Sequence, residues 1–306
     1  MIDVFDDVFE LPDPDKSRQF DELVGLDEVK EQLVKEGRLL LNPKLLDEWS
    51  IKHHGIVLPA VAKFHERPPL IMFSGDVGTG KTTLANSFGD VIARGERIAV
   101  RVLRLSLLTR GKGAVGEMTK LITRAFEEVQ KLAREANKSH GRPTSAVILV
   151  IDEADAIAQS RDFDQMHHED RAGVNALIRG IDLLTHARLP VIVVMCTNRH
   201  EAIDPGILRR AAAHFTFERP NTEQREYVLR TAFDSVFKGD EIQKLAELTG
   251  SNHDRNYGYT YSDLTQRLIP TVLLKAFPDN PITFDLAVSL AEKIEPTKPF
   301  NTNRPT

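Results

Sequence analysis

Short apolar runs and amphipathic stretches alternate along the middle of the chain. From Leu70 the runs are LIMFS, IAVRVLRLS, AVILVID, PVIVVMC and AHFTF. Between them lie KTTLANSFGDVIA, GEMTKLITRAFEEVQKLAREA and EDRAGVNALIRGIDLL, with apolar residues at helical spacing. LIMFS, VILVI and VIVVM are apolar throughout rather than alternating, the pattern of strands covered on both faces of a parallel sheet. The order predicts βαβ architecture, an α/β fold. A helical pattern, LDEVKEQLVKEGRLLL, precedes it. After Pro220 the periodicity is helical only, in TEQREYVLRTAFDSVF, DEIQKLAELTG, SDLTQRLIPTVLLKAF and TFDLAVSLAEKI. This divides the chain into an N-terminal arm (1–19), a large α/β domain (20–220), a small all-α domain (221–295) and a tail (296–306). The tail is rich in Pro, Thr and Asn and is expected to be disordered. The arm is acidic, and Pro12 and Pro14 should break any helix in it, although Val4, Phe5, Val8 and Phe9 could dock on something.

Composition narrows the classes. With 306 residues, 41% hydrophobic and 28% charged, the chain can build one large or two modest cores. A net charge of -5 supplies no bulk positive field, so a nucleic-acid partner would have to be met by a local patch. The cations of KLITRAFEEVQKLAREANK are interleaved with glutamates, as on a solvated helix face. One cysteine, Cys196, sits inside PVIVVMCTN, which excludes an intrachain disulfide and suits a buried small side chain in a reducing, cytosolic setting. The acidic start is unlike a secretory signal and no apolar run reaches the length of a membrane span, so a soluble cytoplasmic protein without a membrane partner is expected. His53-His54 and His167-His168 read as solvated loop histidines, because neighbours in sequence point to different faces of a helix and so do not converge on one ion.

Three local patterns carry chemistry. GDVGTGKTT, residues 75–83, follows LIMFS and opens a helix, matching G-x-x-x-x-G-K-[ST] in full. Gly75, Gly78 and Gly80 let the N–H groups of this loop, through Asp76, Val77 and Thr79, turn inward as an anion nest. Lys81 would reach the β- and γ-phosphates of ATP, Thr82 would bind Mg²⁺, and Thr83 continues into the helix. AVILVIDEAD puts Asp152 and Glu153 at the carboxyl end of a strand, the edge where open α/β sheets bind ligands. Asp152 would hold Mg²⁺ through water and Glu153 would orient or deprotonate the attacking water. Thr197 and Asn198 end PVIVVM at that same edge, where the Asn198 amide could bond the γ-phosphate. A second glycine set, Gly111, Gly113 and Gly116, spells G-x-G-x-x-G. A dinucleotide turn would need an acidic residue about twenty positions on, at the end of the next strand, whereas Glu128 and Glu135 lie inside the following helix.

The order GDVGTGKT, LVIDEAD, CTN, RHEAIDPGILRR and GYTYSDL resembles an ATPase of the AAA family, within the AAA+ class. The resemblance starts at FDELVGLDEVK and runs to at least Leu264. It implies a parallel five-stranded sheet flanked by helices with a helical lid, and a homohexamer with ATP and Mg²⁺ at subunit interfaces. Leu23, Val24 and Gly25 would lie near adenine. An arginine finger from the neighbouring subunit would be Arg209 or Arg210, with Arg210 favoured because closer relatives carry only the second. Ser262 stands where many AAA+ proteins have a lid arginine, and a small residue there is normal in the AAA clade. GAVGE occupies the place of the loop lining the hexamer pore, so Lys112, Gly113, Ala114 and Val115 would face a substrate, with Ala114 where relatives have an aromatic.

GEMTKLITRAFEEVQKLA, RAGVNALIRGID and the short chain resemble the pachytene-checkpoint type of AAA ATPase, the thyroid-receptor-interactor group, in its bacterial antiphage form. That resemblance implies a protein remodeller whose partner is a HORMA-domain protein, in systems that also hold a cGAS-like nucleotidyltransferase. The alternatives are a nucleic-acid-associated AAA+ ATPase of the helicase-loader or transposition-regulator type, and a nucleotide-gated scaffold with little turnover.

Overall fold

The computed structural model describes residues 4–106, 117–136, 143–156, 168–253 and 255–300. The chain forms two compact units. The first comprises Met1–Glu22, Glu28–Ser74 and Thr82–Thr216, and the second Leu23–Asp27, Gly75–Lys81 and Phe217–Thr306.

The first unit is built on a six-stranded sheet. Its strands are β1 (Asp7–Leu11), β2 (Leu70–Gly75), β3 (Ala99–Ser106), β4 (Ser145–Asp152), β5 (Val191–Thr197) and β6 (Ala211–Phe217), in the order β1-β3-β4-β5-β2-β6. The pairs β3/β4, β4/β5 and β2/β5 are parallel. Five strands are those the apolar runs predict. The sixth corrects the expected five-stranded parallel sheet to a mixed one, because β1, from the arm, lies antiparallel along β3. The register explains why the arm docks there. Asp7 stands opposite Arg104 and Glu10 opposite Arg101, whose guanidinium bonds the Glu10 carboxylate, so the arm's acidity meets the bases of β3. Phe5 and Leu11 are buried.

Pro14 starts a helix rather than preventing one. It occupies the first turn of α1 (Pro14–Asp21), where no N–H is needed, and the Asp13 carboxylate caps the N–H groups of Asp15 and Lys16. The unit continues with α2 (Asp27–Leu41), α3 (Lys44–His54), α4 (Pro59–Phe64), α5 (Lys81–Glu96), α6 (Glu117–Ala136), α7 (His168–Ala187) and α8 (Pro205–Leu208). On α6, Ile122, Ala125, Phe126, Val129 and Ala133 form one buried stripe at helical spacing. It packs in one core with Leu103, Leu105, Leu149 and Ile151 of the sheet and with Val174, Leu177 and Ile181 of α7. Strands β2, β4 and β5 are buried along almost their whole length, and Cys196 is buried within β5.

The second unit contains α9 (Thr222–Phe233), α10 (Gly239–Leu248), a π-helical segment (Asp263–Leu268), α11 (Ile269–Ala276) and α12 (Phe284–Lys293). Val228, Leu229, Phe233, Ile242, Leu245, Tyr259, Leu264, Val272 and Ala287 form its core. Asn221 and Gln224 close a capping box at the start of α9. The segment after α12, read from the sequence as the start of a disordered tail, is tied in at Thr297. Its N–H and hydroxyl both donate to Asp263, at 3.0 and 2.7 Å.

Candidate nucleotide site

In the second unit the loop Gly75–Lys81 is shaped by glycine. Gly75, Gly78 and Gly80 have φ of 143°, 75° and 95°, a region that side chains disfavour. Space forbids them too. A Cβ on Gly75 would stand 2.0 Å from the Phe217 carbonyl oxygen, and one on Gly78 would stand 2.8 Å from both Ser262 Cβ and Thr260 Oγ1. Lys81 is 6% exposed, and its ammonium donates to the carbonyls of Gly75 (2.9 Å) and Asp76 (2.7 Å). Thr79 Oγ1 donates to the Asp76 carbonyl at 2.7 Å. Positive-φ glycines folded around a buried ammonium fit a phosphate chain. Val77 is exposed.

Two other segments of the same unit gather on this loop. Leu23 lies beside Gly80, with its Cδ2 3.0 Å from where a Cβ would be. Val24 packs on the unit's core, and the Gly25 carbonyl, at a residue with φ of 70°, accepts from Gln224 Nε2 at 3.4 Å. Ser262 donates its N–H to the Gly78 carbonyl at 3.2 Å, and its hydroxyl donates to Gln266 Oε1 at 3.0 Å. The Tyr261 hydroxyl is pushed up to about 12, by burial first and then by the Asp27 carboxylate. Arg219, which the sequence reading did not single out, donates Nε to Asp76 Oδ2 at 2.7 Å.

In the first unit, Thr82 Oγ1 donates to Asp152 Oδ1 at 3.3 Å, and the same carboxylate oxygen accepts the Glu153 N–H at 3.0 Å. A hydroxyl and a carboxylate side by side form a hard-oxygen pair suited to Mg²⁺. The Thr83 carbonyl accepts from Ser87 within α5. Glu153 itself has φ of 53°, a left-handed conformation costing about 1–2 kcal/mol for a residue with a Cβ and shared here with Arg97 and Arg188.

Asn198 ends β5. Its N–H and the Thr197 hydroxyl both donate to Asp155 Oδ1, at 3.2 and 3.0 Å, and Thr197 Oγ1 accepts the Arg199 N–H at 2.9 Å. The third acid of DEAD thus fastens the turn that carries Asn198. Its place two residues beyond Glu153 was the available signal.

Arg210 donates Nε and Nη2 to the two oxygens of Asp182, at 2.6 and 2.8 Å, and Nη1 to the Gly206 carbonyl at 2.8 Å. The hydrogen bond from Arg210 is the main reason the Asp182 carboxyl titrates below its usual range. Arg209 is exposed. On β6, His214 Nε2 lies 2.7 Å from the buried Ser74 hydroxyl, and its ring stacks on His200 with centroids 4.3 Å apart. Burial first, and His200 second, hold the His214 pKa below the ordinary value.

Lys112, Gly113, Ala114 and Val115 lie outside the described residues, as do Gly111, Gly116 and His167. Among the described residues no cluster of three or more His, Cys, Asp or Glu could hold a metal ion, and His53 and His54 sit against Trp49. No helix among them is long and apolar enough to cross a membrane.

A glycine loop around a buried lysine, carboxylates after a parallel strand and a helical unit define a nucleotide-binding AAA protein. Residues 71–219 match the family described as "ATPase family associated with various cellular activities (AAA)". The chain is 46% identical over 300 residues to CD-NTase-associated protein 6 of Escherichia coli strain MS 115-1, covering 96% of each. It matches a chain of the Escherichia coli MS115-1 HORMA:CdnC:Trip13 complex with a TM-score of 0.91 and 45% identity, covering 98% of this chain and 99% of that one. Rhizobiales Trip13 matches with a TM-score of 0.73 and 41% identity, covering 96% and 100%. The chain belongs to the AAA ATPases, in their Trip13-like branch.

Proposed function

We propose that the chain hydrolyses ATP as a cytoplasmic homohexamer and uses the energy to remodel a HORMA-domain protein held with a cGAS-like nucleotidyltransferase. The observation that carries the reading is the phosphate loop closed around Lys81. The relative found in a HORMA:CdnC:Trip13 complex supports the choice of partner.

In this reading Lys81 and the N–H groups of Gly75–Lys81 bind the phosphates, and Leu23–Gly25 and Ser262 border the base and sugar. Thr82 and Asp152 would hold Mg²⁺, whose contribution is to neutralise phosphate charge. Glu153 takes the proton of the attacking water, and Asn198 orients that water. Arg210, held in direction by Asp182, serves the nucleotide of the neighbouring subunit. Lys112–Val115 would grip the partner.

The test is reconstitution with a HORMA-domain protein and its nucleotidyltransferase, reading ATP turnover and dissociation of their complex. Both should occur, both should vanish in Lys81→Ala, and Ala114→Asp should lose the dissociation. A complex indifferent to ATP would overturn the reading. Turnover driven by single-stranded DNA with steep salt dependence would favour the nucleic-acid alternative.

A further inference from the structure

The phosphate loop contains a carboxylate. Asp76 is the second residue of GDVGTGK, and a negative charge inside an anion-binding loop opposes the ligand unless something neutralises it. Arg219 does so. Its Nε donates to Asp76 Oδ2 at 2.7 Å, in an ion pair whose side chains are only 13% and 26% exposed, so solvent screens it weakly. The guanidinium does more than pair. Nη1 donates to the Gly258 carbonyl at 2.7 Å and Nη2 to the Thr297 carbonyl at 2.8 Å, with the Tyr257 ring 5.2 Å away. Thr297 is in turn bound by Asp263, and Asp263 also accepts the Thr260 N–H at 3.0 Å. Thr260 and Ser262 are the residues against which Gly78 packs. One cation therefore joins the loop, the turn ahead of the π-helical segment and the C-terminal segment.

We propose that Arg219 is a positioning residue for nucleotide binding, which cancels the charge of Asp76 and turns that carboxylate away from the phosphates toward Gly258 and Thr297. The proposal rests on the reading of Gly75–Lys81 as the phosphate loop. A purely structural arginine would serve equally well with Asp76 neutral. A charge-cancelling one matters only while Asp76 is ionised.

A double-mutant cycle separates the two. Fluorescent ATP analogue is titrated into the full chain without a partner, and melting temperature is followed without nucleotide. Wild type should bind and Lys81→Ala should not; failure there sinks the phosphate-loop reading itself. Arg219→Gln should weaken binding about tenfold, as one uncompensated charge at short range would. D76N/R219Q should return to within about twofold of Asp76→Asn alone. Arg219→Lys, which keeps the charge but not the fork, should recover most of the affinity. Equal weakness of R219Q and D76N/R219Q, or no weakening in R219Q, would overturn the proposal. If R219Q melts too low to titrate, R219K and D76N/R219Q still decide. A double variant that folds but binds tenfold worse than D76N rejects the charge role.

Discussion

Arg210 and Asp182 meet fork to fork, with Nε on Oδ1 at 2.6 Å and Nη2 on Oδ2 at 2.8 Å. A bidentate pair fixes direction as well as charge. Arg210→Ala should therefore leave ATP binding nearly intact and cut turnover by about a thousandfold or more, the scale of a lost arginine finger. Asp182→Asn keeps the guanidinium but loosens its aim, and should lower kcat by roughly tenfold with little change in KM. Arg209→Ala should do far less than either. Steady-state kinetics on the three variants provides the check, and mixing Arg210→Ala with Lys81→Ala subunits should restore part of the activity.

Glu153 occupies a left-handed backbone position immediately after the Asp152 carboxylate that holds its N–H. Replacing it with glutamine keeps size and backbone but removes the carboxylate proposed as the base. Glu153→Gln should bind ATP as wild type does and lose turnover by about 10²–10⁴. Analogue binding beside a phosphate-release assay measures both, and ordinary turnover would reject the assignment.

His214 is held neutral by burial and by the neighbouring His200. With a folded pKa below the ordinary 6.5, stability is fully present above pH 6.5, where both states are neutral. It falls as the pH drops from 6.5 toward the folded value, because the unfolded chain takes up the proton first. The melting temperature should decline between pH 7.5 and 5.5, and His214→Gln should flatten that decline. Equal declines in both proteins would exclude His214 as the source.

Asp263 is 1% exposed at its side chain and bonds Arg267 at 2.8 Å, besides Thr260 and Thr297. Burial alone pushes its carboxyl up, but these hydrogen bonds outweigh it and hold the carboxyl below the usual range. Its contribution is thus present above about pH 4 and lost as pH falls through the lower folded value. Asp263→Ala should cost about 2–3 kcal/mol, as for lost charged hydrogen bonds to buried groups. Thr297→Ala should cost less, and urea melts of the two would rank them.

The glycine loop ahead of α5 and the central strands are legible because their signals are local. Three glycines and a lysine lie within seven residues, and VILVI and VIVVM announce burial on both faces. What stayed hidden depends on partners far along the chain. β1 reads as an acidic arm because DVFEL sets two acids around an adjacent hydrophobic pair, without strand alternation, and its reason for pairing, Arg101 and Arg104, lies some ninety residues on. α3 was missed because it is a largely exposed helix with Trp49 and Ile51 facing outward, so no buried stripe marks it. Pro14 was read as a breaker, since only the Asp13 cap ahead of it reveals a helix start. Asp155 has no motif role of its own, and its bonds to Thr197 and Asn198 reach more than forty residues along the chain. Arg219 sits 143 positions from Asp76, and nothing in ERPN suggests the loop it serves.

The strand contributed by the arm also decides how the sheet ends. Without it the border would be the eight residues of β3, a long ladder of open hydrogen-bonding groups. With it the border is five residues, carries Asp7 and Glu10, and runs into Pro12. A short edge that runs into a residue with no N–H gives neighbouring molecules in a crowded solution little to zip onto along this line.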